Sequence, residues 1–193
     1  MRIPYFILLF IFSLSLSAKQ TAVYVKFSQF MTDEQETYLE MYFNIAANSL
    51  DYVETSAGKL QGGIEVTVQI MQDSNIVAAD RFRILSPEFN DTNAISRFLL
   101  HQQRFPLAAG EYTVKLDIID INEAEETYSF APTISLNLKE NQVAASDVLF
   151  LESYGPATQG SAYSRSGFDI IPIITSGSYF FPEGEDKLSF YCE

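Results

Sequence analysis

The stretch LAAGEYTVKLDIID, residues 107–120, decides the fold class of this chain. Its apolar side chains recur at every second position, at Tyr112, Val114, Leu116 and Ile118. A period of two is typical of a β-strand with one face in a core. Gly110 turns the chain two residues before Tyr112, and a tyrosine at the start of a long strand after a turn is typical of a tyrosine corner. We therefore expect the Tyr112 hydroxyl to donate a hydrogen bond to backbone upstream, near Leu107.

The same alternation runs through most of the chain. It recurs in residues 23–28, 38–45, 64–70, 134–138 and 146–154. DSN (73–75) is a turn signal that predicts a hairpin. One stretch, residues 90–103, has a helical spacing and is either a short helix or a crossover loop. We predict an all-β fold with little helix, an immunoglobulin-like antiparallel β-sandwich with Greek-key features, over residues 19–152.

The first residues have the layout of a secretory signal peptide. MRIPYFILLFIFSLSLSAKQ carries one basic residue, then an apolar run, then small residues at Ser15, Ser17 and Ala18. The apolar run is shorter than the roughly 20 residues that a membrane-spanning helix needs. We expect residues 1–18 to be a cleaved signal and the protein to be exported to the periplasm, the cell surface or the medium. No transmembrane segment is expected after cleavage.

Charge and cysteine content exclude several classes of function. The formal net charge is −13, which repels phosphate backbones and argues against nucleic-acid binding. Cys192 is the only cysteine, so no intrachain disulfide can form. One cysteine and one histidine, His101, also disfavour a zinc site. We expect no cofactor and no catalytic residue, because neither a nucleophile motif nor a Gly-rich phosphate loop is present.

Calcium is the one metal that the sequence leaves open. The acidic stretch DIIDINEAEE offers Asp120, Asn122 and Glu123 as oxygen ligands in a loop. Their spacing does not match an EF-hand loop, because Ala124 stands where a ligand is needed and no glycine follows. The three residues are weak calcium candidates, and solvated turns are the favoured interpretation.

Tyr38 and Tyr42 share the outward face of one predicted strand. An exposed tyrosine stripe could bind a sugar or another protein, which makes these two residues weak ligand-binding candidates. The favoured alternative is that a second sheet or the following linker covers them.

The character of the sequence changes after Tyr154. Residues 153–182 are predicted to be a linker and an edge segment, because GPATQGSAYSRSG is rich in small and polar residues and proline interrupts the next apolar run. KLSFYCE (187–193) alternates like a strand and has no partner after it. Residues 183–193 either add to an edge of the sandwich or open a second β domain cut short, and the second alternative is favoured. Their deletion is expected to leave the thermal midpoint within a few degrees.

The order of several segments resembles a known family. YLEMYFNIAANSLDY, GGIEVTVQI, FLLHQQRFPLAAGEYTVKLDIID, SDVLFL and KLSFYCE together look like the N-terminal part of exported bacterial GWxTD domain-containing proteins. In that family a β-sandwich region precedes a second β domain and a C-terminal GWxTD segment. This chain contains no Gly-Trp-x-Thr-Asp stretch and no tryptophan. The resemblance implies an envelope location and a β-sandwich architecture rather than an activity.

The sequence therefore favours a non-catalytic exported module for protein interaction or scaffolding within a longer envelope protein. Two alternatives stay open. One is a carbohydrate-binding module that uses the Tyr38 and Tyr42 face. The other is part of a hydrolase of envelope polymers whose active site is not visible in these residues, because paired carboxylates come from distant strands and leave no spacing signature.

Overall fold

The computed structural model describes residues 20–32, 36–91, 93, 95, 98–137, 145–175, 183–184 and 186–193. In these ranges nearly all regular structure is antiparallel β. The strands are β1 (Val23–Met31), β2 (Thr37–Ala46), β3 (Val53–Glu54), β4 (Leu60–Gln61), β5 (Gly63–Gln72), β6 (Asn75–Leu85), β7 (Phe98–Pro106), β8 (Gly110–Asp120), β9 (Glu123–Phe130), β10 (Thr133–Leu136), β11 (Leu149–Pro156), β12 (Ser164–Arg165), β13 (Phe168–Pro172) and β14 (Ser189–Tyr191). A short 3₁₀ turn covers Ala47–Ser49.

Two sheets enclose the main core. The first sheet has the order β1-β2-β7, and the second has the order β6-β5-β8 with β9 and β10 both paired to the remaining edge of β8. The main core draws on both sheets and includes Leu39, Met41, Phe43, Ile45, Ile64, Val66, Val68, Ile70, Leu99, Phe105, Val114 and Leu116. These side chains follow the two-residue period read from the sequence, because alternate residues of a strand point to the same face. The all-β antiparallel sandwich is confirmed, and its immunoglobulin-like Greek-key topology stays a prediction.

The hairpin between β5 and β6 follows from local turn chemistry. Gln72 pairs with Asn75, so Asp73 and Ser74 form a two-residue connection. Asp73 has a φ of 54°, a left-handed conformation that aspartate tolerates better than most residues. The turn of this hairpin therefore lies at the DSN signal of residues 73–75.

A third sheet covers the outer face of the first. Its order is β12-β13-β11-β14. A second cluster of buried residues joins the two sheets. Phe30 and Tyr42 come from the first sheet, Leu149, Leu151 and Ile170 come from the third sheet, and Ile174 follows β13. The molecule thus has three packed β layers, and the first sheet is the middle one.

The helical alternative for residues 90–103 is wrong for its second half. Residues from Phe98 onward form β7, which pairs with β2 from Ala46↔Phe98 to Tyr38↔Pro106. Leu99 and Phe105 are buried in the main core, so packing against the second sheet outweighs the local helical spacing. Residues 92, 94, 96 and 97 lie outside the described residues.

Residues 153–182, expected to be a linker and an edge segment, contribute several strands to the third sheet. Residues 153–156 continue β11, and Phe168–Pro172 form β13, which pairs with β11 across a register shift between Leu151 and Ser153. A Gly/Ser-rich sequence can form strands here because the buried face needs only a few apolar side chains, such as Ile170. Residues 176–182 lie outside the described residues, as do residues 1–19, which include the expected signal peptide (1–18).

The last segment adds to the third sheet. β14 pairs with β11, in the register Leu149↔Tyr191 to Leu151↔Ser189. Phe190 and Cys192 are exposed, so neither side chain enters the core between the first two sheets. Within the part of the chain that the structure describes, no helix has the length and hydropathy needed to cross a membrane.

Candidate interaction surface and the polar cluster beneath it

A fully buried carboxylate lies at the centre of the interface between the first and third sheets. Glu40 is 0% exposed and belongs to β2, on the face opposite the main core. Its neighbours on β7 donate to it: the Arg104 Nε lies 2.6 Å from Glu40 Oε1, and Gln102 donates to the same oxygen. Cross-strand pairing of Glu40 with Arg104 places these groups together. A buried charge of this kind is stable only when it is paired and hydrogen-bonded.

The third sheet supplies the second cation. Arg165, from β12, is buried and forms an ion pair with the other oxygen of Glu40. Its guanidinium also donates to the hydroxyl oxygens of Tyr38, at 3.1 Å, and Tyr42, at 3.4 Å. The Tyr42 hydroxyl in turn donates to Glu40. Arg165 therefore makes polar contacts with three side chains of the middle sheet, namely Glu40, Tyr38 and Tyr42.

Aromatic rings surround the same guanidinium. The Cζ of Arg165 lies 4.1 Å from the ring centre of Phe30, 5.5 Å from Tyr191 and 5.9 Å from Tyr38. A cation over an aromatic face gains electrostatic energy, most of all where water is excluded. Glu193 completes the enclosure, with its Oε1 3.7 Å from Arg165 Nη1. The C-terminal residues of the described chain thus close one side of the cluster.

Burial keeps the tyrosine hydroxyls of this cluster protonated. Desolvation raises the pKa of Tyr42 far above its ordinary range, and it also raises the pKa of Tyr38, against the opposing effect of Arg165. The pKa of Tyr191 is raised by burial and by its hydrogen bond to Glu193. Protonated hydroxyls can donate to Glu40 and Glu193 at any physiological pH. These hydrogen bonds join Tyr42 to Glu40 within β2 and Tyr191 to Glu193 after β14, and Arg165 of β12 donates to Tyr38 of β2.

An apolar groove opens on the third sheet. Its volume is about 370 Å³, and its wall includes Leu151, Tyr154, Phe168, Ile170, Leu188 and Phe190. Tyr154 is 62% exposed and Phe190 is 58% exposed. The rings of Tyr154 and Phe168 meet edge to face, with centres 6.4 Å apart. Soluble proteins rarely leave contiguous apolar area of this kind open unless it binds something, so this groove is the candidate interaction surface.

Tyr38 and Tyr42 do not form an exposed stripe. Tyr42 is 0% exposed, and the ring of Tyr38 stacks on Phe30 with centres 5.8 Å apart. The third sheet covers this face, which is the favoured alternative of the sequence interpretation. A sugar ring cannot stack on Tyr42 in this arrangement, whereas Tyr38 is half-buried, and both hydroxyls contact Arg165.

Tyr112 and Gly110 lie at the entry to β8. The Tyr112 hydroxyl donates to the carbonyl oxygen of Ala108 at 2.8 Å, one residue beyond the Leu107 position expected from the sequence. The hydroxyl also lies 3.5 Å from the position that a Cβ of Gly110 would occupy. The bond ties the turn to the first residues of the strand and has no contact with the groove.

Two of the three calcium candidates, Asp120 and Asn122, hydrogen-bond to backbone of neighbouring loops. Asp120 is 2% exposed and accepts from the backbone N–H groups of Asp51, at 3.0 Å, and Asn122, at 2.9 Å. The Asn122 side chain donates to the carbonyl oxygens of Asp51 and Gln61. Glu123 begins β9. Among the described residues no group of three His, Cys, Asp or Glu side chains could hold a metal ion.

His101 packs against aromatic rings in the sandwich. Its ring stacks on Phe82, with centres 5.0 Å apart, and lies 6.2 Å from Phe43. Burial lowers the pKa of His101, although a hydrogen bond with Gln103 acts in the opposite direction. Cys192 is exposed at the end of β14. The charged group acting on His101 is Asp80, which accepts from the Gln103 side chain at 2.8 Å and also acts to raise the pKa of the imidazole.

Sequence reasoning missed Glu40 and Arg165. Glu40 is a carboxylate between two tyrosines on an outward strand face, which is also the pattern of a solvated strand. Arg165 lies in SAYSRSG, a segment that looks like a linker. One signal in the sequence could have found Glu40. Tyr38 and Tyr42 flank it at i−2 and i+2, and a strand face with two aromatic residues is unusually apolar for a face in contact with solvent.

The fold and the cluster define an all-β protein of three packed antiparallel sheets with an arginine-centred joint between two of them. No family model, no curated protein and no solved structure matches the chain.

Proposed function

We propose that this chain is a non-catalytic, exported β-sandwich module that binds another protein or acts as a scaffold within a longer envelope protein. The observation that carries the proposal is the apolar groove of the third sheet. Four exposed hydrophobic side chains line this groove: Tyr154, Phe168, Leu188 and Phe190. Val148 and Phe150, just before and within β11, are exposed as well. Apolar area of this extent on a chain with a charge of −13 is costly unless a partner covers it.

The support for a protein partner is the chemistry of the groove. Its exposed wall combines the aromatic rings of Tyr154, Phe168 and Phe190 with the aliphatic side chain of Leu188, and aromatic residues are enriched at protein interfaces. The contacts of Arg165 with Glu40, Tyr38 and Tyr42 link the sheet that carries these side chains to the middle sheet. Side chains that are already held in place lose less entropy on binding.

Site-specific photo-crosslinking in living cells tests the proposal. A photoreactive phenylalanine analogue at Phe190 or Phe168 is expected to yield discrete protein adducts. Ile76, which is 57% exposed on β6, is the matched control because it is equally accessible but far from the third sheet in the strand order. Equal adducts from Ile76 and Phe190, or none from Phe190, would contradict the interaction proposal.

Export is a separate part of the proposal, and the sequence of residues 1–18 supports it. Fractionation of cells that express the full chain should place it outside the cytoplasm in a shorter, processed form. Replacing Leu8 and Leu9 by arginine interrupts the apolar run and should leave the unprocessed protein inside the cell. A processed protein that stays in the cytoplasm, or an unprocessed wild-type protein, would contradict export.

A further inference from the structure

Among the residues that the structure describes, the backbone groups of Phe190 at the outer edge of β14 have no strand partner. The carbonyl oxygen of Phe150 accepts from Ile173 at 2.8 Å, on the β13 side of β11, so the backbone of Phe150 points away from β14. Phe150 pairs with Phe190. In an antiparallel pair the backbone groups of such residues point away from each other. The N–H and C=O of Phe190 therefore point to the edge of the sheet that, among the described residues, no strand occupies.

A second contact gives the same orientation. The carbonyl oxygen of Glu193 accepts from the Ser146 N–H at 2.9 Å, which directs residue 193 toward the segment that leads into β11. Backbone direction alternates along a strand, so residue 191 points to β11 and residue 190 points outward. Outward N–H and C=O groups at a sheet edge are a template for another strand, and Phe190 supplies one such pair within β14.

The surroundings of this edge define the chemistry of an added strand. The groove lies beside it and is lined by Leu188, Phe190 and Tyr154 among others. The segment EGEDKLSFYCE (183–193) carries four carboxylates against one lysine. Glu183 and Asp186 are exposed where the chain leads into β14. A second copy of this chain would bring another charge of −13, which opposes self-association.

We propose that β14 accepts an extended segment of a basic partner protein by strand addition. The segment alternates apolar residues, which enter the groove, with lysine or arginine, which face the carboxylates. Main-chain hydrogen bonds to Phe190 provide affinity, and the side-chain pockets and charges provide selectivity. This inference rests on the proposed interaction function. It adds that the partner binds at the outer edge of β14 and that its bound segment is basic.

Peptide binding to the full chain tests the inference. The probe is a peptide of about eight residues, a usual strand length, that alternates valine and lysine, and its control alternates valine and glutamate. We expect the lysine peptide to bind at least about tenfold more tightly, with an affinity that falls as salt is raised. Equal binding of the two peptides, or no binding of the lysine peptide, would overturn the partner chemistry.

Backbone pairing is tested on both partners. N-methylation of alternate peptide bonds in the lysine peptide, on the edge that faces β14, should abolish binding without changing its side chains. Phe190→Pro removes the outward N–H, whereas Phe190→Val keeps it and is the matched control, since both variants lose the ring. Binding that survives N-methylation overturns strand addition even if Phe190→Pro disturbs β14.

Charge reversal completes the test. Glu183→Lys with Asp186→Lys should weaken the lysine peptide and strengthen the glutamate peptide, and an unchanged preference would overturn the charge assignment. If photo-crosslinking from Phe190 succeeds while the peptide results are negative, the interaction function stands and strand addition fails. If neither succeeds, both fail.

Discussion

The guanidinium of Arg165 in the third sheet lies against the fully buried carboxylate of Glu40 in the middle sheet. The two residues are far apart in sequence, and their contact is one of the links between the last part of the chain and the sandwich, beside the apolar cluster around Phe30 and Tyr42. Arg104 approaches the same carboxylate from the neighbouring strand but is itself partly exposed. Of these two arginines paired with Glu40, Arg165 is the buried one.

Arg165→Ala should loosen the third sheet. Breaking a buried pair by removing one partner leaves an uncompensated charge and typically costs about 3–5 kcal/mol. Hydrogen exchange of β11 and β13 should increase strongly while that of β5 and β8 changes little. Arg81→Ala, which removes an ion pair of Glu65 with an exposed arginine, is the control and should change little. Unchanged exchange in β11 would show that the apolar contacts alone hold the third sheet.

Tyr112→Phe should lower the stability of the sandwich. It removes the hydrogen bond to Ala108, which is worth roughly 0.5–1.5 kcal/mol. The urea midpoint should fall accordingly, with an unchanged slope. Tyr154→Phe, at an exposed tyrosine, is the matched control and should leave the midpoint in place. An unchanged midpoint for Tyr112→Phe would count against the tyrosine corner as a stabilising element.

His101 should make stability fall on acidification. Burial lowers its pKa below the ordinary 6.5, so the unfolded chain binds a proton more readily than the folded chain. The contribution of the neutral, buried His101 to the free energy of unfolding is present above pH 6.5 and is lost as the pH falls below that value. His101→Phe keeps an aromatic ring beside Phe82 and removes the titration. The difference in stability between wild type and variant, measured from about pH 7.5 to 5.5, should change in this window; a constant difference would contradict the assignment.

Gly63→Ala should be destabilising because the added Cβ meets backbone. The position of that Cβ is 2.6 Å from the carbonyl oxygen of Ile84, on the paired strand β6. Relieving such overlap typically costs about 1–3 kcal/mol. Gly155→Ala, where nothing lies within 4 Å of the new Cβ, is the control. Equal thermal midpoints for the two variants would show that β5 and β6 separate without cost at this point.

Deletion of residues 183–193 should leave the core of the sandwich intact. None of the buried residues of the main core lies in this segment. We expect the thermal midpoint of the sandwich to stay within a few degrees, the scale on which about 1 kcal/mol registers. Hydrogen exchange of β11 should rise, because Tyr191 no longer covers Arg165 and β14 no longer pairs. A large fall in the midpoint would show that β14 and the sandwich unfold as one unit.

Local patterns were sufficient for most strands. The alternation in 107–120 predicts β8 and its buried face, and the turn signal at 73–75 predicts the β5–β6 hairpin, because both depend on residues that are close in sequence. The helical spacing of residues 90–103 misled in its second half. There β7 forms because Leu99 and Phe105 gain more from the main core than from a short helix.

The sequence by itself determined that this protein is an acidic, mostly β chain in which most strands carry an alternating apolar face, since a period of two needs no knowledge of distant residues. Only the tertiary structure decided that Glu40 is buried, that Arg165 neutralises it and that the segment around Arg165 forms a third sheet. The physical reason is that a carboxylate on an outward strand face and an arginine in a Gly/Ser-rich segment are each ordinary solvent-exposed residues until the fold brings them together. The energy of their contact arises from desolvation and pairing across 125 positions of the chain, which no local pattern records.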